Sequence, residues 1–226
     1  MSHVSPWLDR VLNEHIRGTR QPSALVQRLA HQLTYGDTMT SAKKVRDIAA
    51  DVFRDAIDIR FIIETLEAGN DPKAFQAVNG SRTAPVAECV YRALWTRLLI
   101  IVSRAYAKSR DGDLHAQHAF DLLKDATVQI AVGSDGNAAF LAEAIALLSK
   151  CRGDHRLSPV LAFRDKQVAH WSELGRRAPI INDIFAVSLN TAAAFEKLAQ
   201  GCGVVTLSLD SQLMGYPEAA ARFWTR

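Results

Sequence analysis

Along residues 41–66 the apolar side chains Val45, Ile48, Ala49, Val52, Phe53, Ala56, Ile59, Ile63 and Leu66 recur at steps of three and four. That spacing stacks them on one face of an α-helix, whereas a strand would scatter them over both of its faces. Ser41 stands where an N-cap belongs and Gly69 where the helix should stop. Arg54, Asp55 and Asp58 fall between the apolar positions, on the side expected to be wetter. A second long helix is predicted over residues 85–108, with Pro85 in its first turn. It carries Val86, Val90, Leu94, Leu98, Ile101 and Ala105 on one stripe, with Trp95, Leu99, Val102 and Tyr106 beside them. So wide an apolar face predicts a helix central to a bundle.

The helical period continues toward the C-terminus. Asp113 is placed to cap a helix over 114–129, residues 133–137 (Gly-Ser-Asp-Gly-Asn) read as a loop, and residues 138–150 form an alanine-rich helix. After a connector over 151–158, Ser158-Pro159 opens a helix that ends before Gly175. Pro179 opens another, with Ile180, Ile184, Val187, Leu189, Ala193, Phe195 and Leu198 on its apolar side and Gly201 and Gly203 at its end. Residues 204–209 read equally well as a short strand, a frayed helix or an extended tail. Near the N-terminus, residues 5–16 and 22–33 suggest two short helices around Gly18-Thr19-Arg20, a hairpin that would pack on the bundle or on a partner subunit. There is no strong linker. The expected fold is all-α, an up-and-down helical bundle over 41–200 with a helical extension over 1–40 and a C-terminal tail over 201–226 packing on it.

Composition narrows the function classes. At 48% hydrophobic and 23% charged residues, the 226-residue chain has enough apolar content for a core without disulfides or metal. Its formal charge of +3 neither demands nor excludes a nucleic-acid partner, so any such partner must be argued from where the basic residues sit. Cys89, Cys151 and Cys202 are odd in number and widely spaced, which gives neither a disulfide framework nor a zinc knuckle. A reducing, cytoplasmic setting is expected. The first ten residues have no apolar core of the kind a signal peptide needs, and the most apolar run, residues 98–102, is far too short to span a bilayer.

The most specific chemical suggestion is Phe163-Arg164-Asp165-Lys166-Gln167-Val168-Ala169-His170, an R-D-K-x-x-A-H run. It joins a permanently charged guanidinium to a side chain that titrates near neutral pH. These are two groups that metal-free cleavage of a phosphodiester needs. On a straight α-helix, residues six apart lie about 9 Å apart along the axis and about 120° apart around it. Arg164 and His170 therefore do not converge within one straight copy. A kink, the long reach of arginine, or two symmetry-related helices facing each other would bring them together.

This motif, on a late helix of an all-helical chain, resembles the HEPN superfamily. The form R-D-K-x-x-A-H, preceded by a long helix containing Tyr91-Arg92-Ala93-Leu94-Trp95, is similar to its AbiU-type abortive-infection branch. The resemblance covers roughly residues 41–200. It implies a homodimeric, metal-independent endoribonuclease of a toxin–antitoxin or phage-defence system, with RNA as substrate, a possible cognate antitoxin and no cofactor. Other members of the superfamily have lost catalysis and serve as binding modules. Carried over, Arg164 and His170 take the two signature positions and Asp165 the polar position after the arginine. A neutral histidine would take the 2′-hydroxyl proton and a protonated one would supply the leaving 5′-oxygen. The arginine would hold the scissile phosphate, and Asp165 would orient the arginine or a histidine across the interface. Lys166, Arg176 and Arg177 are the candidates for contact with further RNA phosphates.

Blander readings stand beside these. A histidine on a mostly apolar helix is often a satisfied structural group, and Phe163, Gln167, His170 and Leu174 fall along one stripe. Arg164 and Asp165 equally suit a solvated helix surface, and Arg176-Arg177 a helix C-terminus. Residues 111–118 gather Asp111, Asp113, His115 and His118, a possible zinc set that reads more simply as a capped helix start. Other basic groups are Lys43-Lys44-Arg46 and Arg152/Arg156. Arg97, Arg104 and Lys108 share one side of the second long helix and read either as solvated charge or as the wall of a cleft. Trp95 and Trp171 read as packing anchors rather than stacking platforms.

Overall fold

A computed structural model describes residues 24–108, 110, 114–169 and 179–225. The chain forms two compact units, residues 1–41 and 42–226. The expected helix over 5–16 lies outside the described residues. Among the described residues the fold is an all-α helical bundle with no strand. Its helices are α1 (Ala24–Gly69), α2 (Pro72–Asn79), α3 (Ala84–Tyr106), α4 (Ala116–Leu122), α5 (Ala126–Asp135), α6 (Ala138–Arg152), α7 (Leu157–Phe163), α8 (Ile181–Gly201), α9 (Leu209–Gln212) and α10 (Tyr216–Thr225). A π-helical turn, Arg164–Ala169, follows α7 directly.

All nine apolar positions of the first periodic stretch are buried. Ser41, however, is not an N-cap. It lies inside α1, which begins at Ala24, so the helix expected over 22–33 is the start of this longer one. No proline or glycine falls between residues 37 and 68 to stop a helix, and Gly36 is accommodated within it.

The second long helix behaves differently along its length. Leu98, Leu99, Ile101, Val102 and Ala105 of α3 are buried, but Val86 is 65% exposed. None of residues 84–97 in its first part is buried. There Trp95 stacks on Phe185 of α8 with ring centroids 5.4 Å apart, and Tyr91 meets Trp95 and Trp224 edge-on. The helix expected over 114–129 is two helices, α4 and α5. Asp125 divides them by accepting hydrogen bonds from the Thr127 N–H and hydroxyl, the side-chain competition that favours a cap over a helix interior. The loop expected over 133–137 shrinks to Gly136 and Asn137, because α5 runs through Asp135 and Asn137 caps α6.

α6 and α8 pack along one another, and their backbones approach closely where α6 begins and α8 ends. The Asn137 N–H donates to the Gly201 carbonyl at 2.9 Å. A Cβ on Gly201 would lie 2.6 Å from the Leu141 nitrogen. Beyond it, Gly203 takes φ +68, with the Gly203 N–H bonded to the Gln200 carbonyl and the Val204 N–H to the Ala199 carbonyl. That pattern is the Schellman ending, which requires a left-handed residue. It turns the chain into an irregular stretch where the sequence left a strand open.

The end of the chain is anchored to α1. The Trp224 indole N–H donates to the Thr65 carbonyl at 2.8 Å. The Tyr216 ring stacks on Phe61 with centroids 4.0 Å apart, and its hydroxyl lies 2.8 Å from Thr65 Oγ1.

Candidate functional site

The motif segment is prepared by the turn between α6 and α7. Asp154 accepts from the Arg156 backbone N–H at 2.9 Å and from Arg156 Nη2 at 2.6 Å. The guanidinium and these hydrogen bonds pull the Asp154 carboxyl down to about 2. Helix α7 starts one residue before the expected Ser158 cap. Its N-cap is Arg156, which makes no side-chain capping bond, and Pro159 sits in the first turn, where its missing N–H costs nothing. Leu157 and Val160 are buried and seat the helix.

From Arg164 the helix widens. Residues 164–169 form a π turn, so the straight α-helical geometry assumed from the sequence does not hold across the motif. Such turns are rare and concentrate at functional sites. This one contains neither glycine nor proline. Arg164 Nη1 lies 2.9 Å from Asp165 Oδ1, a pairing of neighbours within one chain. The Arg164 side chain is 32% exposed, while its Nε is shielded from water and has no hydrogen-bond partner among the described residues. Leaving a shielded donor unpaired costs about 1–3 kcal/mol, so this nitrogen is a ready donor for an incoming acceptor. Lys166 is partly buried on the same turn. The π turn packs against α3. His170, Arg176, Arg177, Trp171, Leu174 and Gly175 lie outside the described residues, as does the Gln167 side chain.

A polar concavity lies between α1 and α3, away from the motif turn, about 500 Å³ in volume and lined by Asp51, Arg54, Asp55, Asp58, Arg97 and Arg104. Asp55, expected on the wetter side of α1, is only 6% exposed. It is buried because Arg104 Nη2 donates to its Oδ2, which neutralises it in place. Arg97 Nη2 donates to Asp58 Oδ2 at 2.9 Å and comes within 4.0 Å of Asp55 Oδ1. Arg54 Nη2 donates to Asp51 at 2.6 Å. A clue to this burial was legible in α1: Val52 lies three residues before Asp55 and Ile59 four after, so Asp55 shares their inward face. The sequence did not disclose which cation would meet it.

Among the described residues no group of three or more His, Cys, Asp and Glu side chains is arranged to hold a metal ion. His115 is buried at the start of α4 rather than solvated, and Asp111 and Asp113 of that candidate set lie outside the described residues. The three cysteines are free thiols. No helix among the described residues is long and apolar enough to cross a membrane. Comparison of the chain with protein-family models, with curated proteins and with solved structures finds no match.

Proposed function

We propose that this chain is a metal-independent endoribonuclease of the HEPN type, working as a homodimer in the cytoplasm, with Arg164 and His170 at its reacting centre. The observation that carries the reading is the state of Arg164: a guanidinium on a π turn, held by Asp165 at 2.9 Å, with a shielded Nε donor that lacks an acceptor among the described residues. A phosphodiester supplies the missing acceptor and the negative charge. In the reaction, neutral His170 takes the proton of a ribose 2′-hydroxyl. The O2′–P bond forms, the P–O5′ bond breaks, and a protonated histidine, that of the second copy, gives its proton to the departing 5′-oxygen. Arg164 stabilises the charge that builds on the non-bridging oxygens, and Asp165 keeps the arginine in place until substrate takes over. Lys166, Arg176 and Arg177 hold neighbouring phosphates. The biological setting this implies is phage defence or a toxin paired with an antitoxin.

The test compares wild type, Arg164→Ala and His170→Ala on RNA in EDTA, with circular dichroism and size-exclusion chromatography confirming equal folding and assembly. Wild-type cleavage leaving 2′,3′-cyclic phosphate ends, lost in both variants, is the expected result. Equal background in all three defeats the proposal. RNA binding by a wild type that does not cleave would instead identify a non-catalytic binding module.

A further inference from the structure

The cleft between α1 and α3 is lined by three arginines and three aspartates, and the pairing that buries Asp55 does not need both Arg97 and Arg104. One guanidinium suffices to neutralise Asp55, and Arg104 supplies it. Arg97 nevertheless reaches the same carboxylate and is itself held by Asp58. The two arginines are seven residues apart on one helix, so they share a face about 10 Å apart along it. Their side chains remain 49% and 47% exposed. Among the described residues each engages its carboxylates through Nη2, one nitrogen of the three in its guanidinium. Fixing a guanidinium from behind with a carboxylate removes much of the entropy cost of ordering it for a ligand. On the opposite wall the Asp58 side chain is 45% exposed and meets Arg97 through Oδ2.

Oxyanion forks with a carboxylate acceptor alongside suit a ligand that carries both a phosphate and hydroxyls. A cleft of about 500 Å³ has room for a nucleotide. We infer that this cleft binds a ribonucleoside phosphate, free or as one unit of an RNA chain, with the phosphate on Arg97 and Arg104 and a ribose hydroxyl on Asp58. The inference extends the RNA reading by naming a second contact away from the motif, but it is tested by binding and does not require cleavage.

Binding of adenosine monophosphate is measured by calorimetry, and that of a short mixed-sequence oligoribonucleotide and its deoxy counterpart by fluorescence anisotropy, all in EDTA at low salt. Arg97→Gln leaves the Asp55–Arg104 pair intact and is expected to weaken binding about tenfold or more, the worth of a charge-assisted hydrogen bond. Arg97→Lys, which keeps the charge but loses the fork, should also weaken it, and thermal melting confirms that both variants fold. Asp58→Asn should reduce the preference for ribose over deoxyribose. Binding of the mononucleotide identifies a free nucleotide as the ligand, whereas binding of the oligonucleotide alone identifies an RNA chain. Arg164→Ala should retain this affinity even if no cleavage is ever seen. Failure of wild type to bind any probe, unchanged affinity in both Arg97 variants, or loss of all binding in Arg164→Ala overturns the inference.

Discussion

Replacing Gly201 with alanine tests how the two central helices are held. A Cβ there would lie 2.6 Å from the Leu141 nitrogen and 2.7 Å from its Cα, where ordinary contact begins near 3.4 Å. The obstacle is backbone, so no side-chain rotation relieves it. α6 and α8 must part by about 1 Å, a distance that forfeits much of the dispersion energy at the contact. The same movement stretches the 2.9 Å bond from the Asn137 N–H to the Gly201 carbonyl. Overpacking costs about 1–3 kcal/mol and the lost hydrogen bond about 1 kcal/mol, so about 3 kcal/mol is expected in total. For a chain of this size that lowers Tm by about 6–12 °C in a calorimetric or circular dichroism melt. Gly153→Ala is the control. Its φ is −78 and its nearest neighbour would be 3.6 Å away, so its Tm should match wild type. A Gly201→Ala protein that melts with wild type would refute the reasoning, because it would mean that the helices do not approach this closely.

Two further outcomes follow from titratable groups. The Asp154 carboxyl sits at about 2, below its unfolded value of about 3.9, so its ionised form favours the folded state. Its contribution is complete above about pH 4 and disappears as the pH falls toward 2. Acid titrations of Asp154→Asn should therefore show a shallower loss of stability across that window, and an unchanged acid limb would contradict the pairing with Arg156. Among the thiols, Cys89 is exposed, while burial raises Cys151 and pushes Cys202 up to about 12. At mildly alkaline pH an alkylating reagent should modify Cys89 in the native protein and spare the other two, as read by peptide mass spectrometry; rapid labelling of Cys202 would contradict its burial.

The residues of α1 show why the fold was legible. A three-to-four period survives any arrangement of neighbours, so its nine apolar positions had to find a core wherever the helix packed. The ends of helices were harder to place. Ser41 has the chemistry of a cap but no helix breaker before it, and a cap residue acts only where the backbone has already left the helix. Arg164, Asp165 and Lys166 were legible as a motif, but the π turn that carries them was not, since a one-residue change in hydrogen-bond register leaves no mark in residue type.

What the sequence settled by itself is the class of structure: local periodicity, proline and glycine positions and apolar content dictate helices that must bury one face. What only the tertiary structure decided is which charges meet. Asp55 and Arg104 are 49 positions apart, and Asp55 becomes a buried, paired carboxylate only because α3 crosses α1 at that level. The face of α3 behaves likewise, buried at Leu98 but open at Val86, because burial depends on which neighbours reach each turn of the helix. Helix periodicity is set within a few residues, whereas the environment of a charge is set by segments that meet only on folding.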